Sequence, residues 1–171
     1  MKREENLKLF QDREKNWITY GDLVRAMKEV KADDCDALLI HTDLSFGLPT
    51  RELKRKELVE VLYDAICELG VKTLIFPTFT FSYGNREDFD VKNTKCKMGM
   101  LNEYVRKMPG SVRSRDPLMS VLLEKTKNLR KLVEINHLVR EVFLTAFITR
   151  KIQELCSLGH SFHSVIHRCT M

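Results

Sequence analysis

No apolar stretch of this 171-residue chain approaches the roughly 20 residues that a membrane-spanning helix needs. The opening "MKREENLKLFQDREKNW" is charged throughout, unlike a secretory signal peptide or an anchor, so a cytoplasmic protein with no membrane partner is expected. Paired cysteines are missing as well. The five cysteines, at 35, 67, 96, 156 and 169, are scattered and odd in number, which favours reduced thiols over a disulfide framework. GxxxxGK[ST], GxGxxG, HExxH and paired CxxC motifs are all absent, as are internal repeats and low-complexity segments.

What is present is enough for one domain, or one domain plus a tail: 43% of residues are hydrophobic, and a chain of this length can bury a sizeable core. The net charge of +5 is unevenly spread. Residues 126 to 171 hold seven Lys/Arg against three Glu, so the tail carries +4 and the first 125 residues are nearly neutral. A general polyanion-binding surface is not implied there, and no nucleic-acid partner is expected.

Thr19, followed by Gly21 and Asp22, sets up an N-cap, and Leu23, Met27 and Val30 recur at helical spacing through "GDLVRAMKEV". "DALLIH" (36 to 41) has the length and flanks of a buried strand and delivers His41 to its C-terminal end. Over 51 to 69, Leu53, Leu58, Val61, Leu62, Ala65, Ile66 and Leu69 share a helix face that Gly70 closes; "KTLIFPT" then reads as a second strand. Strand, helix and strand make a βαβ unit with parallel strands. "MGMLNEYVRKM" (98 to 108) reads as a helix with Met98, Leu101, Tyr104 and Val105 inward, stopped by Pro109 and Gly110, and "LMSVLLE" (118 to 124) as a third strand.

Ligands of such sheets bind at the carboxyl ends of the strands, where His41 and "PTFTFSY" (77 to 83) both emerge. Residue type leaves two readings open at each position. Thr78, Thr80 and Ser82 are either ordinary strand and turn residues or hydroxyls facing a ligand; His41 is either a satisfied strand-end histidine or part of a site. Arg113 is either a solvated loop charge or a bidentate phosphate contact, with backbone N–H groups near Thr42 to Ser45 available to a pyrophosphate. Glu87, Asp88 and Asp90 make an acidic turn that steers a cationic amine or is simply exposed, and Tyr83 and Phe89 pack it.

"GDLVRAMKEV…DALLIHTDLSFGLP", "LIFPTFTFSYGNREDFDV" and "MGMLNEYVRKMPGSVRSRDPLMSV" occur in the order and spacing that resembles the aminoglycoside 3-N-acetyltransferase family, over roughly residues 17 to 124. The resemblance implies an α/β fold, with helices around a mixed, partly parallel sheet, and acetyl-CoA as co-substrate. It places the cofactor-binding residues at His41, Thr42, Asp43, Leu44 and Ser45, at Thr78 and Phe79 of the Pro-Thr-Phe-Thr motif, and at Arg113 and Ser120. Two positions depart from the family's His-Ser-Ser-Leu-Ser pattern, at Thr42 and Asp43. In "RSRDPLMS" (113 to 120) both family histidines are absent, which resembles an Asp-Pro branch associated with sugar or surface-polysaccharide gene clusters more than with antibiotic resistance. The implied activity is acetyl transfer to an amine of an aminoglycoside or amino sugar, a small-molecule partner. The family's later catalytic-histidine segment has no counterpart, so no catalytic residue is assigned and impaired turnover is expected. A non-catalytic remnant or interaction protein that still binds CoA is the alternative.

Family members run to roughly 260 residues or more. Residues 1–125 are therefore expected to be the N-terminal part of an acetyltransferase domain, and 126–171 an aberrant helical or disordered tail. No Asp follows Asp116, and four of the five histidines lie beyond residue 136. With suitable codons, the stretch after His137 read one nucleotide earlier can spell "SCSGSVFDRIHHTKDTRIMFFG", which resembles the family at this point, so a frameshift is expected. Rival readings are zinc ligation by Cys156, His160, His163, His167 and Cys169, whose spacing matches no common finger, and a partner- or membrane-facing helix in "VREVFLTAFITRKIQEL", whose apolar residues lie nearly all round and so favour a packing or aggregation-prone helix. No metal is assigned, and the oligomeric state is left open.

Overall fold

Alternating and continuous apolar runs generate two sheets with a helix between them. In the computed structural model, which describes residues 3–42, 44, 47–124 and 164–169, strands β1 (Lys8–Gln11) and β2 (Trp17–Thr19) form an antiparallel hairpin. Helix α1 (Tyr20–Glu29) follows at once. Thr19 caps it, and Asp22 returns the hydrogen bond to the Thr19 backbone, a reciprocal capping box that satisfies two otherwise orphaned N–H groups. Strand β3 (Ala37–Thr42) leads through a loop to β4 (Leu48–Pro49), which pairs with β1 and completes a small antiparallel sheet in the order β2-β1-β4. A Cβ at Gly47 would stand 2.9 Å from the Gln11 carbonyl, so only glycine lets this loop lie so close to β1.

Helix α2 (Arg55–Glu68), β5 (Thr73–Pro77), the short α3 (Ser82–Asn85), α4 (Met100–Arg106), β6 (Val112–Arg113) and β7 (Val121–Glu124) follow. The last strand is β8 (Ser164–Cys169). The main sheet runs β6-β7-β5-β3-β8. β3 and β5 are parallel, in the register Leu38↔Leu74, and the other pairings are antiparallel. The expected α/β architecture with a mixed, partly parallel sheet is therefore what the chain adopts, with β3, α2 and β5 as its βαβ unit.

The period-2 geometry of the strands separates two cores. Leu38, Ile40, Leu74, Phe76 and Leu122 point to one face and bury against Val59, Ile66 and Leu69 of the α2 region and Leu101 and Val105 of α4. Ala37, Leu39, Ile75, Val121 and Leu123 point to the other, with Phe79. The far side of α2, through Leu58, Val61, Leu62 and Ala65, packs on Leu9, Phe10, Tyr20, Leu23 and Val24. Burying each such side chain is worth about 1.5–3 kcal/mol relative to exposure, which is what fixes α2 between the two sheets.

Some boundaries differ from the sequence reading. α2 begins at Arg55 rather than near residue 51. β7 begins at Val121, because the Asp116 carboxylate accepts from the Leu118 and Met119 N–H groups at 2.8 and 2.9 Å and holds 117–119 as a turn. Tyr83 does not pack the acidic turn: it is 75% exposed. β8 is a strand that nothing in the tail's pattern announced. Asp43, Ser45, the segment 139–155, Cys156, His160 and His163 lie outside the described residues.

Candidate donor-binding site

β3 and β5 run parallel, so His41 and Thr42 on one and Pro77 and Thr78 on the other end on the same edge of the sheet. Gly99, with φ +102, starts α4 beside that edge, where its Cβ position lies 3.8 Å from the Thr42 carbonyl. Asn102 on α4 is fully buried and donates from Nδ2 to the Pro77 carbonyl at 2.6 Å, tying the helix to the end of β5. The sequence reading missed Asn102; its one signal was a polar residue three positions before Val105 on an otherwise apolar face.

The hydroxyls of "PTFTFSY" turn inward. Thr78 Oγ1 donates to the Ser120 carbonyl at 3.1 Å, and Ser120 Oγ donates to the Thr78 carbonyl at 2.7 Å. Thr80 Oγ1 donates to the Pro117 carbonyl at 2.9 Å. Phe79 is buried in the second core, edge-on to Phe81 at 6.1 Å. The strand stops on hydroxyls because β5 and the turn before β7 need these groups to satisfy buried backbone carbonyls where ladder bonding has ended.

Arg113 is central to this cluster and is 7% exposed. Its Nε donates to Thr78 Oγ1 and Ser120 Oγ at 3.2 and 3.1 Å, Nη1 to the Thr94 and Val91 carbonyls at 2.7 and 3.2 Å, and Nη2 to the Thr78 carbonyl at 2.6 Å. Its guanidinium lies 5.0 Å from the Phe89 ring. The fork is therefore closed on protein acceptors rather than held open as a solvated charge. Burial, then the neighbouring Arg106 charge, lower its pKa to about 10, so it stays a cation at neutral pH.

Structure thus brings Thr78, Phe79, Arg113 and Ser120 together, with His41 and Thr42 on the adjoining strand end. Leu44 is half-buried and packs against both cores. The acidic turn is arranged for itself: the Asp90 carboxylate accepts from the Lys92 and Asn93 N–H groups, and Glu87 pairs with Lys97 at 3.7 Å. Burial opposes ionisation of Glu103, but hydrogen bonds from Arg106 and the Cys96 N–H and the Arg106 charge outweigh it and hold its carboxyl at about 2. Cys35, Cys67 and Cys96 are thiols. Among the described residues no cluster of His, Cys, Asp and Glu could hold a metal ion, and no helix is long and apolar enough to cross a membrane.

A βαβ-centred sheet with glycine-tuned loops and buried hydroxyls at one edge defines an α/β protein of the kind whose ligands bind at the carboxyl ends of the strands. Residues 39–123 match the model of the aminoglycoside 3-N-acetyltransferases, the family that the sequence motifs resemble. Its fold is similar to the sisomicin-bound structure of AAC-VIa (TM-score 0.53, 18% identity, 67% of this chain and 49% of that one). It is also similar to the YokD protein from Bacillus subtilis (0.51, 15%, 67% and 53%) and to the aminoglycoside acetyltransferase AAC(3)-Xa (0.51, 18%, 67% and 46%). The chain spans about half the length of these solved structures, and at such identities the likeness shows the fold alone. No curated protein matches the sequence.

Proposed function

We propose that this chain is the donor-binding portion of an acetyl-CoA-dependent N-acetyltransferase acting on an amine of an aminoglycoside or amino sugar, in the cytoplasm. The observation that carries the reading is the convergence of the β3 and β5 ends on the interlocked Thr78, Ser120 and Arg113 cluster within the family-matched segment. The donor would lie along His41, Thr42, Asp43, Leu44 and Ser45, with Thr78, Phe79, Arg113 and Ser120 as the buried cluster that keeps the facing strand end in shape.

Acetyl-CoA supplies the activated acyl group: a C–N bond forms, the C–S bond breaks, and the amine must lose a proton while the thiol leaves protonated. The residues of the chain position the donor through backbone N–H groups at the strand ends, and Arg113 fixes those ends without itself moving a proton. Glu103 is a poor base, since its ion pairs with Arg106 and Lys107 hold its carboxyl at about 2 and leave it little affinity for a proton. Among the described side chains His41 is the one histidine, and we propose weak or absent turnover for this chain by itself.

The test mixes the purified protein with acetyl-CoA and sisomicin or an amino sugar and follows free thiol. Saturable acetyl-CoA binding with little thiol release is expected. Rapid turnover would remove the impairment, and a chain that neither binds acetyl-CoA nor stays monomeric would favour an interaction protein instead.

A further inference from the structure

The edges of the two sheets are unequal. β2 is three residues long, β4 is two and ends on Pro49, and β6 is two and carries Arg113. Short, interrupted or charged edges of this kind resist pairing with another strand. β3 is different. Its six residues, "ALLIHT", hold no proline, glycine, Lys, Arg, Asp or Glu, and Ala37 to Ile40 are buried. Left open on its outer side, such a strand would present a long, flat row of backbone N–H and C=O groups with nothing to guard it.

Residues 164–169 fill that row. β8 pairs with every residue of β3, from Ala37↔Cys169 to Thr42↔Ser164, whereas β5 is in register with Ala37, Leu38 and Leu39. Among the described residues, Ile40, His41 and Thr42 therefore have their register partners in β8. These three carry β3 to the candidate site.

Connectivity makes β8 separable. It stands last in the strand order and neighbours β3 alone, and residues 125–163 separate it in the chain from β7. A strand tied to its neighbour by a tight hairpin leaves only with that neighbour. One on a connection of this length can leave and return by itself, because the cost of closing a loop grows only with the logarithm of its length. Backbone pairing along an exposed edge is also the general means by which a sheet accepts an added strand.

We propose that the outer edge of β3 is a strand-accepting surface, that Ser164–Cys169 of the same chain is its exchangeable occupant, and that the occupied edge orders the His41–Thr42 end of the candidate site. The strand exchange stands apart from the donor reading above; its effect on acetyl-CoA affinity rests on that reading.

Hydrogen exchange of the full chain tests this with two proline variants. Successive N–H groups of a strand point to opposite sides, so of Val165→Pro and Ile166→Pro one removes a donor aimed at β3 and the other a donor aimed away from it. The first is expected to speed exchange of the β8-facing amides within Ile40–Thr42 roughly tenfold, while Leu74, Ile75 and Leu122 keep their rates; the second is expected to change little. A peptide of residues 162–171 added to the disrupted variant should restore protection. Two variants that behave alike would overturn the proposal, as would a loss of protection that spreads to Leu74 and Leu122 and so makes β8 an inseparable part of the core. Protection of Ile40–Thr42 that falls on dilution would put a second copy's strand on the edge and overturn the occupant named. In the same samples acetyl-CoA is expected to bind the disrupted variant roughly tenfold more weakly than the parent. Equal affinity would overturn the link between β8 and the site, and a parent that binds no acetyl-CoA would count against the donor reading, with the strand exchange decided by the amide rates.

Discussion

Replacing Arg113 with lysine is the sharpest stability test, because the two cations are usually treated as interchangeable. The guanidinium reaches Thr78 Oγ1, Ser120 Oγ and three carbonyls from three nitrogens, and an ammonium at one point serves only one end of that array. The Thr78 carbonyl keeps its bond from Ser120 Oγ at 2.7 Å, so the loss falls on Val91 and Thr94. Two hydrogen bonds to a charged donor are worth about 3 kcal/mol or more. Against them stands the penalty of burying a cation beside Arg106, which takes the Arg113 pKa from 12.5 to about 10 and corresponds to about 3 kcal/mol. Lysine loses the bonds and keeps the penalty, whereas leucine sheds both. Arg113→Lys is therefore expected to destabilise by about 3 kcal/mol, and Arg113→Leu by less, as read by urea unfolding under circular dichroism. A lysine variant as stable as the parent, or a leucine variant much worse than lysine, would refute the reasoning.

Glu103 sets an acid limit. Its carboxyl is held at about 2 instead of 4.5, so it adds about 3 kcal/mol of stability, fully present above the unfolded value and lost as pH falls from about 4.5 toward 2. Glu103→Gln should flatten that part of the stability–pH curve, and an unchanged curve would show the Arg106 pair to be idle. Gly99→Ala forces φ +102 on a residue with a Cβ, while the added carbon would sit at an ordinary 3.8 Å from the Thr42 carbonyl. A cost of about 1–3 kcal/mol from backbone strain is expected, visible as a lowered Tm; no change in Tm would mean that the loop relaxes freely. Asp116→Ala should cost about 1–2 kcal/mol by freeing the Leu118 and Met119 N–H groups, with Asp116→Asn restoring most of it, and equal losses in both would point to charge rather than turn capping.

The central βαβ unit was legible because Leu38, Leu39 and Ile40 form a compact run and the α2 residues repeat at helical spacing, patterns tied directly to burial. The Thr19 cap was legible for the same local reason. The β1–β2 hairpin was not. Its register shifts between Lys8 and Phe10, so adjacent Leu9 and Phe10 are both buried and the period-2 signal disappears beneath flanking charges. At the site, the motif located Thr78, Ser120 and Arg113, yet residue type does not encode which way a hydroxyl or a guanidinium faces. The partners that close the Arg113 fork, Val91 and Thr94, lie about 20 residues away in the chain.

Binding of the acyl donor by the family-matched segment is tested most directly by thermal unfolding of the full chain across an acetyl-CoA series. A ligand that binds only the folded state adds about 2.7 kcal/mol at a hundred times its Kd. A Tm that climbs steadily with acetyl-CoA is the predicted result; a Tm that stays flat to millimolar acetyl-CoA would contradict it.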